Sequence, residues 1–281
     1  MAGPYVGLLP RAVLFAALPL CLSCSSLRPD VVLRPDGRPR PCLTAVRHAG
    51  INLDGDLSDW SGIRFPHVTP RNGIFCKSST KTDSARDLSY RFAVCQDGKA
   101  LYVAVDVTDD VLKVDSTKPG DINARAWEDD AVEVFIDGNY NRAPDARVGF
   151  ALEFVDGIPE ARDGKISPEM KYGGEFSLVI NGAATSTCSG YPNTFGLPDG
   201  WQGATKFHAV RKGAKRLLYE FRIPLAMMGE QVRPGQTVGF TIAAQDDDDS
   251  NPGRDHALYW SAVNPGTFRD ERGWGDLVLE P

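Results

Sequence analysis

Residues 131–137 read AVEVFID, a stretch in which apolar and polar side chains alternate with a period of two. Its even positions are valine, valine and isoleucine, whereas its odd positions include Glu133 and Asp137. Successive side chains of a strand point to opposite faces, so this pattern predicts a strand that buries one face in a core. The preceding residues, Trp127–Asp130, place an indole ring and three carboxylates directly at the start of that strand.

Similar short strands are predicted along most of the chain. Residues 88–110 contain a hairpin that turns at Gln96–Lys99, and its second strand alternates from residue 101 to residue 108. Only residues 225–229 look helical, and they amount to a single turn. Many short strands without a long helix predict an all-β fold, a two-sheet antiparallel β-sandwich of the jelly-roll type. The further predicted strands are residues 149–155, 176–180, 206–211, 216–224, 237–245, 257–263 and 276–279.

The composition is that of an ordinary globular protein with many turns. The chain has 281 residues with 28 glycines and 20 prolines, which favours short strands over a helix bundle. Its 31 basic side chains against 37 acidic ones give a formal net charge of −6, which argues against a nucleic-acid binder. Four histidines leave little material for a histidine-rich metal site.

The first residues have the pattern of an export signal. Ala12–Leu22 is an apolar run of eleven residues, which is too short to span a bilayer but has the length of a signal-peptide core. Ser23 and Cys24 follow it, as at the cleavage site of a bacterial lipoprotein. We therefore expect a signal peptide over residues 1–23, lipidation of Cys24 and a lipid-anchored protein of the bacterial cell envelope. Without lipidation, the same segment predicts a secreted protein.

Beyond the signal, residues 24–44 are rich in proline and arginine, which predicts an extended tether, and residues 45–281 are expected to form a single folded domain. In an exported protein an even number of cysteines favours disulfides. Once the two cysteines of the signal region are set aside, four remain, so two disulfides with three alternative pairings are expected, and no spacing suggests zinc. These cysteines are Cys42, Cys76, Cys95 and Cys188.

Short strings spread over residues 45–281 resemble one known family. They are INLDGDLSDW at 51–60, LYVAVDVTDD at 101–110, WEDDAVEVFID at 127–137, YWSAVN at 259–264, FRD at 268–270 and WGDL at 274–277. Their order and spacing together are similar to those of the family 9 carbohydrate-binding module, within the DOMON-like group of β-sandwiches. The resemblance implies a non-catalytic protein that binds a glycan or polysaccharide fragment, with a glycoside hydrolase or a transporter as its partner.

In that family a sugar lies between two aromatic rings, above polar groups. A pyranose offers an apolar face of C–H groups to the rings and a rim of hydroxyls to carboxylates and amides. By resemblance, Trp127 is one aromatic wall, and Phe268 stands where the family usually has the opposing tryptophan. Glu133 and Asn264 match hydroxyl contacts. The family's arginine on the strand near Phe150–Phe154 has no counterpart in that stretch of the sequence.

The resemblance also implies structural calcium bound by carboxylates. Oxygen ligands suit Ca²⁺, which accepts about six to eight of them. Asp54, Asp56 and Asp109 are the expected ligands, with bracing of a turn as the alternative role for Asp54 and Asp56. The run Asp246–Asp249 is not an EF-hand, because Leu258 stands at the terminal acidic position, and a solvated acidic loop is expected there.

Two alternative functions are weaker. No catalytic serine–histidine–aspartate order, phosphate-binding loop or metal-hydrolase motif occurs in the sequence, so an enzyme is not expected. Some DOMON-like sandwiches carry a b-type haem between a methionine and a lysine or histidine, which makes electron transfer the second hypothesis. The candidate haem ligands are Met170, Met227 and Met228.

Overall fold

A computed structural model of the chain describes part of its residues in detail. These are residues 34, 37–77, 84–142, 152–155, 158–161, 173–186, 194–209, 215–229, 231–249, 253–263 and 270–281, with 152–155 and 158–161 described by their backbone alone. The described residues belong to one compact unit. None of the helices in these segments is long and apolar enough to cross a membrane.

The described segments contain fifteen strands, and their only helical elements are single 3-10 turns. This confirms the all-β prediction. The turns are Leu57–Trp60, Ala126–Glu128, Leu225–Met228 and Glu271–Gly273. The strands are β1 Cys42–Arg47, β2 His67–Val68, β3 Ile74–Lys77, β4 Leu88–Gln96, β5 Ala100–Asp109, β6 Ala131–Asp137, β7 Leu152–Val155, β8 Ile158–Ala161, β9 Gly173–Val179, β10 Ala184–Ser186, β11 Gln202–Ala209, β12 Lys215–Pro224, β13 Thr237–Asp246, β14 His256–Tyr259 and β15 Gly275–Leu279.

Thirteen strands belong to one sheet in the order β10-β9-β6-β13-β15-β1-β4-β5-β12-β11, with β14 pairing with β13, β3 pairing with β14 and β2 pairing with β4. The sheet is mixed, because β1 runs parallel to both of its neighbours. Cys42 to Ala45 pair with β15, whereas Val46 and Arg47 pair with β4. The strands on either side of β1 form two antiparallel halves, but because this short strand joins them in parallel, the expected two-sheet, fully antiparallel arrangement is not confirmed. Within the described segments, β7 and β8 pair only with each other.

The two halves of this sheet share one apolar core. The rings of Phe92 on β4 and Phe240 on β13 lie 6.3 Å apart, and the Tyr90 hydroxyl donates a hydrogen bond of 3.0 Å to the carbonyl of Ile242. On β6, the valines and isoleucine of the alternating stretch are all buried in this core, as the sequence predicts. Each such side chain contributes roughly 1.5–3 kcal/mol through the apolar area that it removes from water.

A second, smaller apolar cluster covers the outside of β4 and β5 around the buried Trp60. The carboxylate of Glu220, on β12, anchors the segment that carries this ring. It accepts hydrogen bonds from Trp60 Nε1 at 2.8 Å and from the backbone N–H groups of Asp54 and Gly55 at 3.0 and 2.6 Å. Burial raises the pKa of Glu220, and these hydrogen bonds oppose the rise. The Asp56 side chain caps the following 3-10 turn.

Replacing Glu220 with alanine should destabilise the protein by about 2–3 kcal/mol, because the buried N–H groups of Trp60 and Gly55 and the partly buried one of Asp54 lose their acceptor, and each unsatisfied buried donor costs about 1 kcal/mol or more. Urea unfolding measures the difference. Asp199→Ala is the matched control, since Asp199 is exposed and its loss should change stability by no more than about 0.5 kcal/mol. Equal stability of the two variants would show that the Glu220 carboxylate does not anchor this segment.

The predicted pair of disulfides is wrong for the described cysteines, since Cys42, Cys76 and Cys95 are free thiols. Cys95 pairs with Val46, four residues beyond Cys42 on β1, which puts Cys42 about 13 Å further along the strand. That exceeds the roughly 7 Å that a disulfide can span between Cα atoms. Cys76 packs in a different apolar cluster from Cys95. Burial raises the pKa of the Cys95 thiol to about 12, and Cys188 lies outside the described residues.

Part of the segment predicted as a tether packs against the domain. Strand β1 begins at Cys42, and the Arg34 guanidinium is buried where it donates to Ser261 Oγ and to the carbonyl of Ala262, both at 3.3 Å. Arg40 donates a 3.0 Å hydrogen bond to the carbonyl of Arg272. The predicted signal peptide, Cys24 included, lies outside the described residues.

Candidate functional site

The expected sugar contact Glu133 lies on the face of β6 that points away from the shared core. Its partners across the ladders are Ser177 on β9 and Ala243 on β13. The same registers bring Gln245 and Tyr259 to this face, one near each end of the β13–β14 pairing. We call this surface the polar face. It is formed by Glu133, Glu175, Ser177, Gln245 and Tyr259.

Hydrogen bonds connect the side chains of the polar face. The Gln245 amide donates to the Glu133 carboxyl, a further hydrogen bond joins Glu133 to Glu175, and Ser177 Oγ donates to Glu175 Oε1 at 2.7 Å. Glu133 is 4% exposed and Gln245 2% exposed. Burial raises the pKa of Glu133 well above its usual range, and the neighbouring Glu175 raises it further, while Arg254 acts in the opposite direction.

Three polar atoms along this side of the sheet are buried without a hydrogen-bond partner in the described structure. They are Gln245 Oε1, the Tyr259 hydroxyl and Trp274 Nε1. The rings of Tyr259 and Trp274 both pack on Phe135, at 6.4 and 5.8 Å. Buried polar atoms normally have hydrogen-bond partners, so these three atoms mark this side of the sheet as a candidate binding surface.

The predicted aromatic wall, Trp127, lies on the 3-10 turn immediately before β6. Its ring is half-buried, and the Arg125 guanidinium lies over it at 5.5 Å from the ring centre. Arg125 also forms an ion pair of 2.6 Å with Glu128 on the same turn. The other two expected contacts, Asn264 and Phe268, lie outside the described residues.

The sequence-based prediction missed Gln245 and Tyr259. Gln245 is the last residue of a predicted strand and directly precedes the acidic run. The pattern of the run indicates a charged loop and gives no sign that the neighbouring amide belongs to a site. A signal was nevertheless present, because alternation through Phe240, Ile242 and Ala244 places Gln245 on the opposite face from the core. The sequence shows Tyr259 only as part of the YWSAVN motif, and its position opposite Ala243 follows only from the strand pairing.

Glu133 should make the protein less stable as the pH rises. In the unfolded chain it ionises near pH 4.5, whereas the folded state keeps its proton to higher pH because the carboxyl is buried beside Glu175. The folded state then binds more protons than the unfolded state, so the free energy of unfolding falls with increasing pH in this window.

The variant Glu133→Gln removes this titration, so its stability should fall less than that of the wild type between about pH 5 and pH 8. Urea unfolding at several pH values gives the slope. The exposed Glu280→Gln serves as the control and should keep the wild-type slope. An unchanged slope in Glu133→Gln would contradict the raised pKa.

Carboxylates gather where β5 and β13 end and β6 begins. The first carboxylate cluster consists of Asp109, Asp130 and Asp246, each about 1% exposed, with one oxygen from each lying within 4.8 Å of the others. Asp130 accepts hydrogen bonds from the backbone N–H groups of Lys113 at 2.6 Å and Asp247 at 3.0 Å. The second oxygen of Asp246, Oδ2, is buried and has no hydrogen-bond partner among the described residues.

A second carboxylate cluster lies beside the first and consists of Asp115, Asp129 and Asp247, under the same 4.8 Å limit. Asp129 Oδ1 accepts from the N–H groups of Asp115 and Ser116, both at 2.9 Å, and Asp247 Oδ1 accepts from that of Asp249 at 3.3 Å. In the part of the chain that the structure describes, the buried Oδ2 atoms of Asp129 and Asp247 have no hydrogen-bond partner. In both residues, the backbone therefore holds one oxygen and leaves the other available.

The burial of these carboxylates corrects the expectation of a solvated acidic loop at Asp246–Asp249. Asp246 and Asp247 are buried, and burial raises the pKa of Asp246 to about 9 and that of Asp247 to about 6. Burial likewise raises the pKa of Asp109 to about 7. Hard oxygen donors without a thiolate or imidazole are the ligand set that Ca²⁺ prefers, so both clusters fit that ion.

Only one of the three expected calcium ligands belongs to these clusters. Asp109 is in the first cluster, whereas Asp54 and Asp56 belong to no carboxylate group within the described segments. Asp54 Oδ1 accepts from the N–H of Asp56 at 2.8 Å, and Asp56 Oδ1 accepts from that of Ser58 at 3.1 Å. These two residues therefore brace the turn before Trp60, which was the alternative role.

Two of the three candidate haem ligands pack in the apolar core and do not face a haem pocket in the described structure. Met227 is 7% exposed, Met228 is fully buried, and both pack in the shared apolar core. The Thr194 hydroxyl lies 3.7 Å from Met227 Sδ as a hydrogen-bond donor. Met170 lies outside the described residues.

Solved structures share the fold of this chain. A family 9 carbohydrate-binding module from Caldicellulosiruptor kristjanssonii in complex with cellotriose has a TM-score of 0.54 at 18% identity, over 85% of this chain and 94% of that one. A family 9 module from the same organism in complex with glucose has a TM-score of 0.55 at 18% identity, over 85% of this chain and 96% of that one. A protein from Bacteroides uniformis ATCC 8492 has a TM-score of 0.52 at 16% identity, over 86% of this chain and 100% of that one.

The comparison with curated protein sequences gives no match. Residues 71–147 and 185–281 match the family described as carbohydrate family 9 binding domain-like. The first segment contains β6 with Trp127 and Glu133, and the second contains β13 with Gln245. Since the two segments include more than half of the residues, the chain belongs to the family of carbohydrate family 9 binding domain-like proteins.

Proposed function

We propose that this chain binds carbohydrate at the polar face, without catalysing a reaction on it. The observation that carries the proposal is the set of buried polar atoms without a partner among the described residues, Gln245 Oε1 and the Tyr259 hydroxyl among them, on the polar face, whose strand β6 follows the turn that carries the half-buried Trp127. Membership in the family supports it, as do the solved relatives in complex with cellotriose and glucose.

The chemistry of the polar face suits a pyranose. The flat indole of Trp127 covers the apolar C–H face of the ring, and aromatic surface of this kind provides contact area at low entropic cost. Glu133 and Gln245 supply hydrogen bonds to the hydroxyl rim. Because the pKa of Glu133 is raised, its carboxyl keeps a proton to higher pH and can then donate as well as accept a hydrogen bond.

We further propose that the protein acts at the bacterial cell surface. The apolar run Ala12–Leu22 followed by Cys24 supports export and lipid anchoring. A sugar-binding domain in this location would capture polysaccharide fragments close to the membrane, where a glycoside hydrolase or a transporter uses them.

Replacing Trp127 should weaken sugar binding. We expect Trp127→Ala to raise the Kd at least tenfold, which corresponds to about 1.4 kcal/mol, because the stacking surface is lost. Trp127→Phe should retain part of the affinity. The measurement is calorimetric titration with cellotriose and glucose, preceded by a glycan array to find better ligands. Phe207→Ala is the matched control, since Phe207 is 45% exposed on β11 at the far edge of the sheet.

A second variant tests the polar contacts. Gln245→Ala should weaken sugar binding by a similar factor, because it removes the unpartnered Oε1 together with the hydrogen bond to Glu133. If no glycan binds to the wild-type protein, the proposed function is wrong. If binding survives in both Trp127→Ala and Gln245→Ala, the protein binds sugar at another surface.

A further inference from the structure

A chain of two hydrogen bonds leads from the predicted tether to the residue before Trp274. The buried Arg34 guanidinium donates from Nη1 to Ser261 Oγ at 3.3 Å, and the Ser261 hydroxyl donates to the carbonyl of Gly273 at 2.6 Å. A hydroxyl has one proton to donate, and it accepts through its lone pairs. Arg34 therefore occupies an acceptor position of Ser261 and leaves its proton directed at Gly273.

A second arginine of the tether reaches the neighbouring peptide group directly. Arg40 Nη2 donates to the carbonyl of Arg272 at 3.0 Å, and only 5% of the Arg40 side chain is exposed. Its Nη1 atom lies 3.9 Å from a carboxylate oxygen of Asp276. The backbone of Asp276 also contacts the tether, since its N–H donates to the carbonyl of Pro41 at 2.9 Å. The tether thus contacts the chain on both sides of Trp274.

We call Arg34 and Arg40 the tether arginines. The carbonyl of Trp274 itself accepts a hydrogen bond of 3.4 Å from Arg142 Nη1, so side chains donate to the three consecutive carbonyls of residues 272–274. Strand β15 begins only at Gly275. The segment that carries Trp274 is therefore held by these side chains before the sheet ladder begins.

Two glycines allow the close approach on which these contacts depend. A Cβ atom at Gly275 would lie 2.8 Å from the Pro41 carbonyl oxygen, and one at Gly273 would lie 2.1 Å from the backbone nitrogen of Val263. Neither position has room for a side chain. The end of the tether is therefore packed into the domain, where a spacer would need no such fit.

Trp274 connects the tether arginines to the proposed sugar-binding surface. Its ring packs on Phe135 at 5.8 Å, and the Tyr259 ring packs on the same phenylalanine at 6.4 Å. Phe135 lies two residues after Glu133 and hence on the same side of β6. Because packed interiors transmit displacements, a shift of Trp274 would change the surroundings of Tyr259 and Glu133.

We propose that Arg34 and Arg40 are positioning residues of the sugar site: by holding the segment before Trp274, they keep Tyr259 and the polar face in the geometry that binds sugar. The inference rests on the proposed function. Binding groups keep their geometry only where neighbouring packing and hydrogen bonds fix them, so affinity falls when these supports are removed. The end of the predicted tether is then a part of the binding domain.

The first experiment separates the hydrogen bonds from the bulk of the side chains, in the full-length chain. Arg34→Met and Arg40→Met keep a long apolar side chain without a donor, whereas Arg34→Lys and Arg40→Lys keep a cationic donor. In calorimetric titration, each methionine variant should raise the Kd for cellotriose about tenfold, and the lysine variants should recover part of the affinity. Arg38→Met is the matched control, because Arg38 belongs to the same segment but is exposed, and it should keep the wild-type Kd.

The second experiment follows the position of Trp274 without sugar. Fluorotryptophan labelling gives one fluorine NMR resonance for each of the five tryptophans, and Trp274→Phe and Trp201→Phe identify two of them. The Trp274 resonance should shift in both methionine variants. The Trp201 resonance should not, since this ring stacks on Phe221 in the shared core at 6.0 Å. A constant Trp201 resonance shows that the core of a variant is folded.

The outcomes separate this inference from the proposed function. If the wild-type protein binds no sugar while the Trp274 resonance shifts as expected, the proposed function fails and the tether arginines still position Trp274. If the wild type binds cellotriose and both methionine variants bind it equally tightly, the tether arginines do not position the sugar site. An unchanged Trp274 resonance in both methionine variants would overturn the inference as well.

Discussion

The register of β6 between β9 and β13 is the constraint on which the rest of the structure depends. Val134 lies opposite Phe176 and Ile242, and all three are buried in the core. A shift of β6 by one residue would exchange its two faces and place Glu133 in the apolar core. Burying that carboxyl among apolar side chains would cost more free energy than the shift could gain. The same register that excludes this shift brings Gln245 beside Glu133.

Local patterns in the sequence predict much of this architecture. The alternation in residues 131–137, the hairpin in 88–110 and the single helical turn near 225–229 all occur as expected, because each depends on neighbouring residues. The parallel pairing of β1 could not be foreseen in the same way. Cys42 pairs with Asp276, and nothing local in a six-residue strand identifies a partner so distant in sequence.

The candidate functional site could likewise be predicted from the sequence only in part. Trp127 and Glu133 follow from the motif, but the burial of Asp246 and Asp247 does not, since a run of four aspartates ordinarily indicates a solvated loop. Asp246 and Asp247 are buried because segments distant in sequence pack around them. Those segments supply backbone donors and further carboxylates, such as Asp109 and Asp130. The disulfide prediction failed for a related reason: cysteine parity says nothing about whether Cys42 and Cys95 lie within bonding distance.

The position of β1 also has a consequence for the order of folding. β1 is the first strand of the described chain, and β15, one of its two neighbours, is the last. During synthesis β1 therefore cannot complete its pairing until β15 has been made, and the two halves of the sheet are joined only then. Closing so long a loop is slow, so we expect the join to be a late step that leaves the edges of both halves open to chaperones until β15 pairs with β1.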